Sequence, residues 1–550
     1  MKNNRNTGMA VFVCMVVAVA MTGAAYCQTY TDLYNLGTNS TDPLSPSWIG
    51  IFAQGRDGSL YTTSQAGGAF VNGHQYGTVF QMTPSGSMTV LHSFDYTNGG
   101  IPNSGLTLGT DGNLYGTTSA GGLGWGTIFK ITPSGIFTSL HSFNGTTEGT
   151  GPDAPPIQGL DGNFYGTAGD GNNSVFGTVY RMTPAGVVTI IYTFDGTNRY
   201  PNGLVMGNDG NFYGTTTGTS TGLGTVFKIT PQGKFTVLHK FTGPDGQDPI
   251  GQLIQANDGS FYGTTKVGGS GANGVVYKMS PTGVYTVLHN FANNGLGLGP
   301  VAGLVQATDG KFYGAAYSTP GVGPGLIYQI TSDGVYTILH QFLSKNHDGA
   351  TPMVPLIQHT GGTLFGDTYS GGLGTNCITC GVLYSLDMSL GAFAEFLPPH
   401  SQGRVGKTIG ILGQGFSGTT NVTFNGTPST FTVVSDTYLT ATVPDGAKSG
   451  SIRVITPGGT LTSNKTFRVT PQITTFDPPS GPVGTSVTIT GVSLTQTSKV
   501  TFGGVKGTTF AVISDTEVTA TVPTGAVTGK ITVTTTGGTA ASATDFTVTP

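Results

Sequence analysis

The chain of 550 residues holds 91 glycines, 10% aromatic residues and only 9% charged residues, a balance that suits many turns and half-buried strands, and its length predicts more than one domain. A formal charge of −4, with 22 Lys and Arg scattered singly, excludes the basic stripe that a nucleic-acid partner demands. The same scatter argues against polybasic attachment to anionic lipid.

Residues 1–27 read as an export signal peptide. Lys2 and Arg5 give a positive start, Met9 to Met21 the apolar stretch, and Gly23 and Ala25 the small residues of a cleavage site. The apolar run is too short to favour a permanent membrane span. Lipidation at Cys27 is the alternative, weakened because Tyr26 stands where a small residue is wanted. No further integral membrane segment follows, so the expectation is a soluble exported protein, extracellular, at the cell surface or periplasmic.

From there one unit recurs. Its turn opens at Asp57, Asp111, Asp161, Asp209, Asp258 and Asp309, with a degraded copy at Gly361-Gly362, a period of about 50 residues that marks a repeat architecture. In the second copy, Gly105 to Thr110 and Asn113 to Thr118 flank Asp111-Gly112. Asp-Gly between two extended runs is a hairpin signal, because a type I′ turn needs positive φ twice. Thr127 to Thr132, a Pro133-Ser134-Gly135 turn and Ile136 to Phe143 complete the unit. Four antiparallel strands per unit predict a propeller blade.

Before the first unit, YTDLYNLG (Tyr30 to Gly37) matches the closing strand of later units, such as Phe235 to Phe241. It is spare, and a ring closes by pairing its two chain ends, which removes an open edge. Residues 28–390 are therefore predicted to form a seven-bladed β-propeller whose last blade is completed by the N-terminal strand. Eight blades is the competing count, if Ala392 to Leu397 seeds another.

The recurring polar positions have structural readings beside functional ones. His92, His141, His239, His289 and His340, with Tyr192 in the third copy, sit in different sectors of such a ring and cannot converge on one ion, so they are read as packing or bonding strand ends. Tyr61, Tyr115, Tyr165, Tyr213, Tyr262 and Tyr313, with Phe365 in the seventh copy, read as core between blades. Gln54, Gln158, Gln255, Gln306 and Gln358 could ring the channel and hold water, an ion or a sugar. Mutual satisfaction of the channel wall is the preferred reading.

What varies between copies is where binding is expected, on loops held by a rigid scaffold. The irregular segments run 65–76, 144–156, 195–201, 242–249 and 344–352, and the two connections that carry them emerge at one end of a blade. The candidate ligand-binding residues there are Trp125, Tyr76, Tyr200, Asp153, Asp245, Asp248 and Asp348, although ordinary solvated loops share this composition.

Cys377 and Cys380 are the cysteines left after signal removal. Zinc would need two more ligands, and export favours a disulfide. Loops such as Gly169 to Ser174 could take calcium but lack regular ligand spacing, so neither a cofactor nor a metal is expected. The Ser-nucleophile pattern at Gly218 to Gly222 continues into a strand rather than a helix. The GKT at Gly406 to Thr408 likewise lacks the first glycine and the helix of a phosphate loop.

At about Gly391 the period changes to two copies, aligned through Val422 to Gly426 with Val500 to Gly504 and Ser435 to Pro444 with Ser514 to Pro523. Alternating Val, Thr and Ile between close-set turns predict Ig-like β-sandwiches at 391–470 and 471–550. Pro471 to Gly491 resembles the opening of IPT/TIG domains, and Phe396 to Phe416 is a looser match. Through DGNLYGTT, GTIFKITPSG and LHSF, residues 30–390 resemble the GloVer-type tandem repeats (choice-of-anchor) of exported bacterial proteins. That resemblance implies export with variable C-terminal modules; IPT/TIG domains occur in surface receptors, transcription factors and polysaccharide-degrading enzymes, and the scarcity of basic residues removes the second use.

Two functional readings follow. One is a secreted or cell-surface, non-catalytic binding or adhesion protein, its partner an extracellular glycan or protein held on the variable-loop face. The other is a carbohydrate-active hydrolase or lyase, which would need two carboxylates converging at the channel mouth with one pKa raised. No clustered acid pair stands out beyond turn aspartates, so binding is favoured.

Overall fold

The computed structural model describes residues 28–46, 52–169, 176–196, 199–218, 222–292, 299–317, 325–343, 348–374, 380–397, 401–507 and 509–550. Residues 1–27, expected to be a signal peptide, and Cys377 lie outside them. Among the described residues every regular element is a β-strand, and no helix is long and apolar enough to cross a membrane. The chain divides into two compact units, 1–391 and 392–550.

In the first unit, consecutive strands zigzag into antiparallel sheets. The second copy shows the plan: Thr107–Leu108, Leu114–Thr118, Thr127–Ile131 and Phe137–Ser142 pair in sequence order. Gly112 supplies the left-handed turn residue at φ 86°. Burial grades across each sheet. Phe261–Thr265 is buried throughout, whereas the outer strand Tyr285–Asn290 exposes Thr286 and half-covers the rest. Inner strands are covered on both faces by neighbouring sheets, and β-branched and aromatic residues fill that layer.

One sheet departs from sequence order. Thr29–Asn35 pairs antiparallel with Val382–Asp387, Thr29 opposite Asp387 and Asn35 opposite Val382, and the sheet continues through Leu364–Asp367 to Ile357–Gln358. The spare N-terminal strand thus fills the place that the seventh copy leaves vacant. The first copy gains a fifth strand, Pro43–Pro46, which shares Leu60–Gly67 with Ala53–Gln54.

Successive sheets meet through repeated contacts. Tyr115 packs on Phe164 at 4.0 Å, and Tyr165 on Phe212 at 4.2 Å. Tyr213 packs on Phe261 and Tyr262 on Phe312, both at 4.0 Å. Each of these phenols donates to the turn aspartate four residues earlier, as Tyr115 does to Asp111 Oδ2 at 2.9 Å and Tyr165 to Asp161 Oδ2 at 2.8 Å. In the seventh copy both partners are missing, with Phe365 and Gly361 in their places. The glutamines tie turn to turn: Gln158 Oε1 accepts from Thr110 N and Gln358 Oε1 from Thr308 N, both at 2.9 Å, in the preceding sheet. Gln54 closes the series by accepting from Thr360 N at 2.9 Å. These amides bond to turn backbone and threonine hydroxyls rather than to one another.

A second link is steric. The glycine before each third strand lies in the left-handed region with a proline of the following sheet against it, so a Cβ on Gly177 would stand 2.5 Å from Pro201 Cδ and one on Gly325 2.5 Å from Pro352 Cδ. The series returns to the start at Gly381, whose Cβ would stand 3.1 Å from Pro46 Cδ. The residue preceding each proline is also left-handed: Ser45, Ile101, Gly151, Tyr200, Asp248, Gly299 and Thr351 have φ between 48° and 69°.

The second unit holds two similar double-layered assemblies. In the first, the sheet containing Thr408–Leu412 and Tyr438–Thr442 packs on the one containing Asn421–Phe424 and Ile452–Thr456 through Ile409, Ile411, Leu439, Val422, Phe424 and Val454. In the second, Ser486–Val492 and Glu517–Thr521 oppose Thr497–Phe502 and Gly529–Thr535 around Ile489, Val500, Phe502 and Val533. Gln496 joins them, its Oε1 accepting from Ser449 N at 2.9 Å and Thr536 Oγ1 at 2.8 Å.

Candidate functional site

The described parts of the variable segments share one end of the first unit. The connection leading into a sheet bridges to the loop leaving that sheet's second strand, as at Gly100 with Ala120, Thr150 with Gly169, Gln247 with Val267 and Ala350 with Ser370. This places the aromatic and acidic candidates on a common loop end, whereas the Asp-Gly turns lie at the other.

Most acids of that end hold their own loops. Asp245 accepts from Thr242 N at 2.7 Å and Thr242 Oγ1 at 2.8 Å, and it meets His239 Nε2 at 3.0 Å. Burial opposes ionisation there, but these hydrogen bonds and the imidazole outweigh it and lower its pKa. Asp348, expected to be exposed, is buried instead. Its carboxylate accepts from Leu343 N at 3.0 and 3.1 Å and lies 3.4 Å from His340 Nε2. Glu148 does the same for His141 at 3.2 Å and Asn144 N at 3.1 Å. In the first copy an amide substitutes: Asn98 Nδ2 lies 3.3 Å from His92, whose pKa burial lowers. Apart from His141, the recurring imidazoles are also stacked on a ring of the next sheet, as His92 on Phe137 at 3.9 Å and His239 on Tyr285 at 4.0 Å. His239 and His340 are thus bracketed between a loop carboxylate and a stacked ring.

Asp153 differs. It accepts from Asn103 Nδ2 at 2.9 Å, and crowding by protein raises its carboxyl pKa, countered by that bond. Its side chain is nonetheless exposed, and a carboxylate that solvent reaches is poorly suited to remain a neutral acid. Asp248 occupies a left-handed position at φ 54°, and its backbone carbonyl accepts from Lys266 N at 2.9 Å.

The aromatic candidates fall into two groups. Tyr76 lies 5.2 Å from Tyr96 and 6.0 Å from His74. Trp125 sits on the neighbouring loop, packed over Gly145, where a Cβ would come within 2.6 Å of the indole. Tyr200 is separate, stacked with the Arg199 guanidinium 4.9 Å from its ring, which also covers Phe176 at 4.6 Å. Sequence reasoning missed Phe70, Tyr96, Ile101 and Leu123, all exposed on this end; their clustering in the first two copies was the available signal. Cys380 is buried and disulfide-bonded.

No curated protein matches the chain. Among solved structures it is similar to an oligogalacturonate lyase in complex with manganese, at 12% identity, with 69% of this chain and 97% of that one covered and a TM-score of 0.46. It is also similar to a fungal alcohol oxidase of the AA5 family, at 13% identity, 78% and 98% coverage and a TM-score of 0.45. A shorter match, at 18% identity, is to a surface glycan-binding protein from Prevotella bryantii, covering 26% of this chain and 38% of that one with a TM-score of 0.22. The Gloeobacter/Verrucomicrobia repeat matches at residues 25–217, 156–383 and 250–510, and the chain belongs to that repeat family.

Proposed function

We propose that the chain is an exported, non-catalytic binding or adhesion protein. In this reading residues 1–27 are a signal peptide and 28–390 form a seven-bladed β-propeller. Residues 391–470 and 471–550 form Ig-like sandwiches of IPT/TIG type, and an extracellular glycan or protein is held on the propeller's variable-loop face. The cyclic series of sheet contacts, returning from Gly381 to Pro46, supports the closed ring. One observation carries the function: at the loop end the carboxylates of Glu148, Asp245 and Asp348 are consumed in fixing their loops, while aromatic side chains remain exposed.

A hydrolase would need an uncommitted acid pair, one of them neutral, and Asp153, open to solvent, is a poor proton donor. The purified full chain should retain glycans or surface proteins on an array without releasing reducing ends from the glycans it holds. Release of reducing ends, lost on substituting Asp153 with Asn, would overturn the binding reading in favour of the hydrolase.

A further inference from the structure

Resting on that binding reading and narrowing it, we propose that Tyr76, Tyr96, Ile101 and Trp125 form a preorganised ledge for a neutral oligosaccharide. Ile101 and Tyr96 are held at φ 53° and 71°, yet are 41% and 42% exposed. Ile101 occupies the left-handed position before the proline, where the third and sixth copies carry Gly151 and Gly299. Glycine therefore meets the backbone demand, and a β-branched residue there is strained. Ser45, Tyr200, Asp248 and Thr351 also fill this position without glycine, so the strain belongs to the repeat; Ile101 differs in exposing a wholly apolar side chain there.

The ledge is fixed by main-chain bonds between the loops of two adjoining sheets. Ile101 N donates to Tyr76 O at 2.9 Å, and Gly122 N donates to Tyr96 O at 2.9 Å, which ties in the loop presenting Leu123 and Trp125. Gly100 permits the close approach, since a Cβ there would stand 3.3 Å from the Tyr96 ring and 3.5 Å from Tyr76. Such a surface loses little freedom on binding.

Its chemistry selects the ligand. The nearby Asp95 spends Oδ1 on Thr97 Oγ1 at 2.7 Å and Asn98 N at 2.9 Å. Ser119 Oγ, bonded to Ile101 O at 2.8 Å, is neutral. Aromatic faces with polar tips, rimmed by hydroxyls and amides, suit a partner with one apolar C–H face and many hydroxyls, namely a neutral pyranose chain. An anionic ligand would find no fixed positive charge in these residues.

Affinity electrophoresis of the full chain in gels holding xyloglucan, barley β-glucan, galactomannan or polygalacturonate tests this. At least one neutral polysaccharide should retard the protein, polygalacturonate should not, and Tyr96→Ala with Trp125→Ala should weaken retardation at least tenfold, whereas Leu373→Ala should not change it. Ile101→Gly separates binding from folding: its melting temperature should hold or rise while retardation weakens. Retardation that survives these substitutions overturns the ledge and leaves the wider binding reading intact. Retardation by polygalacturonate alone, or by none of the four, overturns the neutral-sugar assignment, the latter leaving a protein ligand under the wider reading.

Discussion

Tyr30 of the N-terminal strand lies flat on His340 of the preceding sheet, ring centroids 3.8 Å apart and planes 5° from parallel. The same stack joins His289 to Tyr336 at 4.0 Å and Tyr192 to Phe235 at 4.3 Å. A residue from the start of the chain therefore occupies the place that Tyr336 and Phe235 hold between consecutive copies. Its hydroxyl adds a bond to Asp348 O at 2.8 Å.

Removing that ring should loosen the sheet joining the two ends of the unit. Tyr30→Ala is expected to lower the stability of the first unit by about 3 kcal/mol, in the range of large aromatic truncations. Tyr30→Phe should cost only about 1 kcal/mol, the net value of one hydrogen bond, because Phe makes the equivalent stack at position 235. Urea unfolding of the three proteins side by side measures both differences.

Asp367 is a buried acid in a threonine position. Thr117, Thr215 and Thr264 donate there to carbonyls of the next sheet, to Pro152 O at 2.9 Å, Pro249 O at 2.7 Å and Ala302 O at 2.9 Å. Both Asp367 oxygens are buried without a partner among the described residues, and burial raises its pKa well above the usual carboxylate range. A raised folded-state pKa means that the folded form holds the proton more tightly than the unfolded chain does. Its contribution to stability is then complete below the unfolded value, about 3.9, and is lost as pH rises through the folded value. Asp367→Thr should stabilise the unit by about 1–3 kcal/mol at pH 7, and the gain should shrink as pH falls toward 4. Thermal melts of both proteins across that range give the difference.

The glycine–proline contacts predict a contrast between two substitutions at similar φ. Gly325, at 102°, would place a Cβ 2.5 Å from Pro352 Cδ, whereas Gly124, at 100°, has nothing within 4 Å. Gly124→Ala should carry only the backbone cost, about 1 kcal/mol. Gly325→Ala should cost about 2–4 kcal/mol by adding overpacking. Equal losses in denaturant titrations would show that the proline contact does not matter.

The Asp–Tyr clasp can be built where it is missing. Tyr115→Phe should cost about 1 kcal/mol through the lost bond to Asp111. In the seventh copy, Phe365→Tyr alone adds a hydroxyl without its acceptor, and Gly361→Asp alone an acceptor without its donor. Together they should recover about 1 kcal/mol of coupling, read from a double-mutant cycle.

The recurring strands were legible because the repeat states each strand many times, and Tyr30 to Gly37 stood out as a fourth-strand sequence without its first three. Asp57, Asp111 and Asp161 read as turn residues, but their phenol partners four residues on did not, since the tyrosines looked like plain core. The loop acids were legible as positions and not as roles. Glu148 lies seven residues beyond His141 and Asp245 six beyond His239, so no fixed spacing exposes the pairing. Asp348, expected on the surface, is drawn under by Leu343 N and His340. Ile101 escaped notice because its left-handed backbone, which makes its side chain conspicuous, is a property of the fold rather than of the letter.

The pairing of Thr29–Asn35 with Val382–Asp387 also orders events in time. A chain made from its N-terminus presents the first of these strands long before the second exists, so the early strand must wait as an unclaimed edge. That is a hazard for wrong partners, including the same strand of another copy. Maturation of the first unit therefore waits on an encounter between strands separated by most of its length, and the protein is vulnerable until its two ends meet.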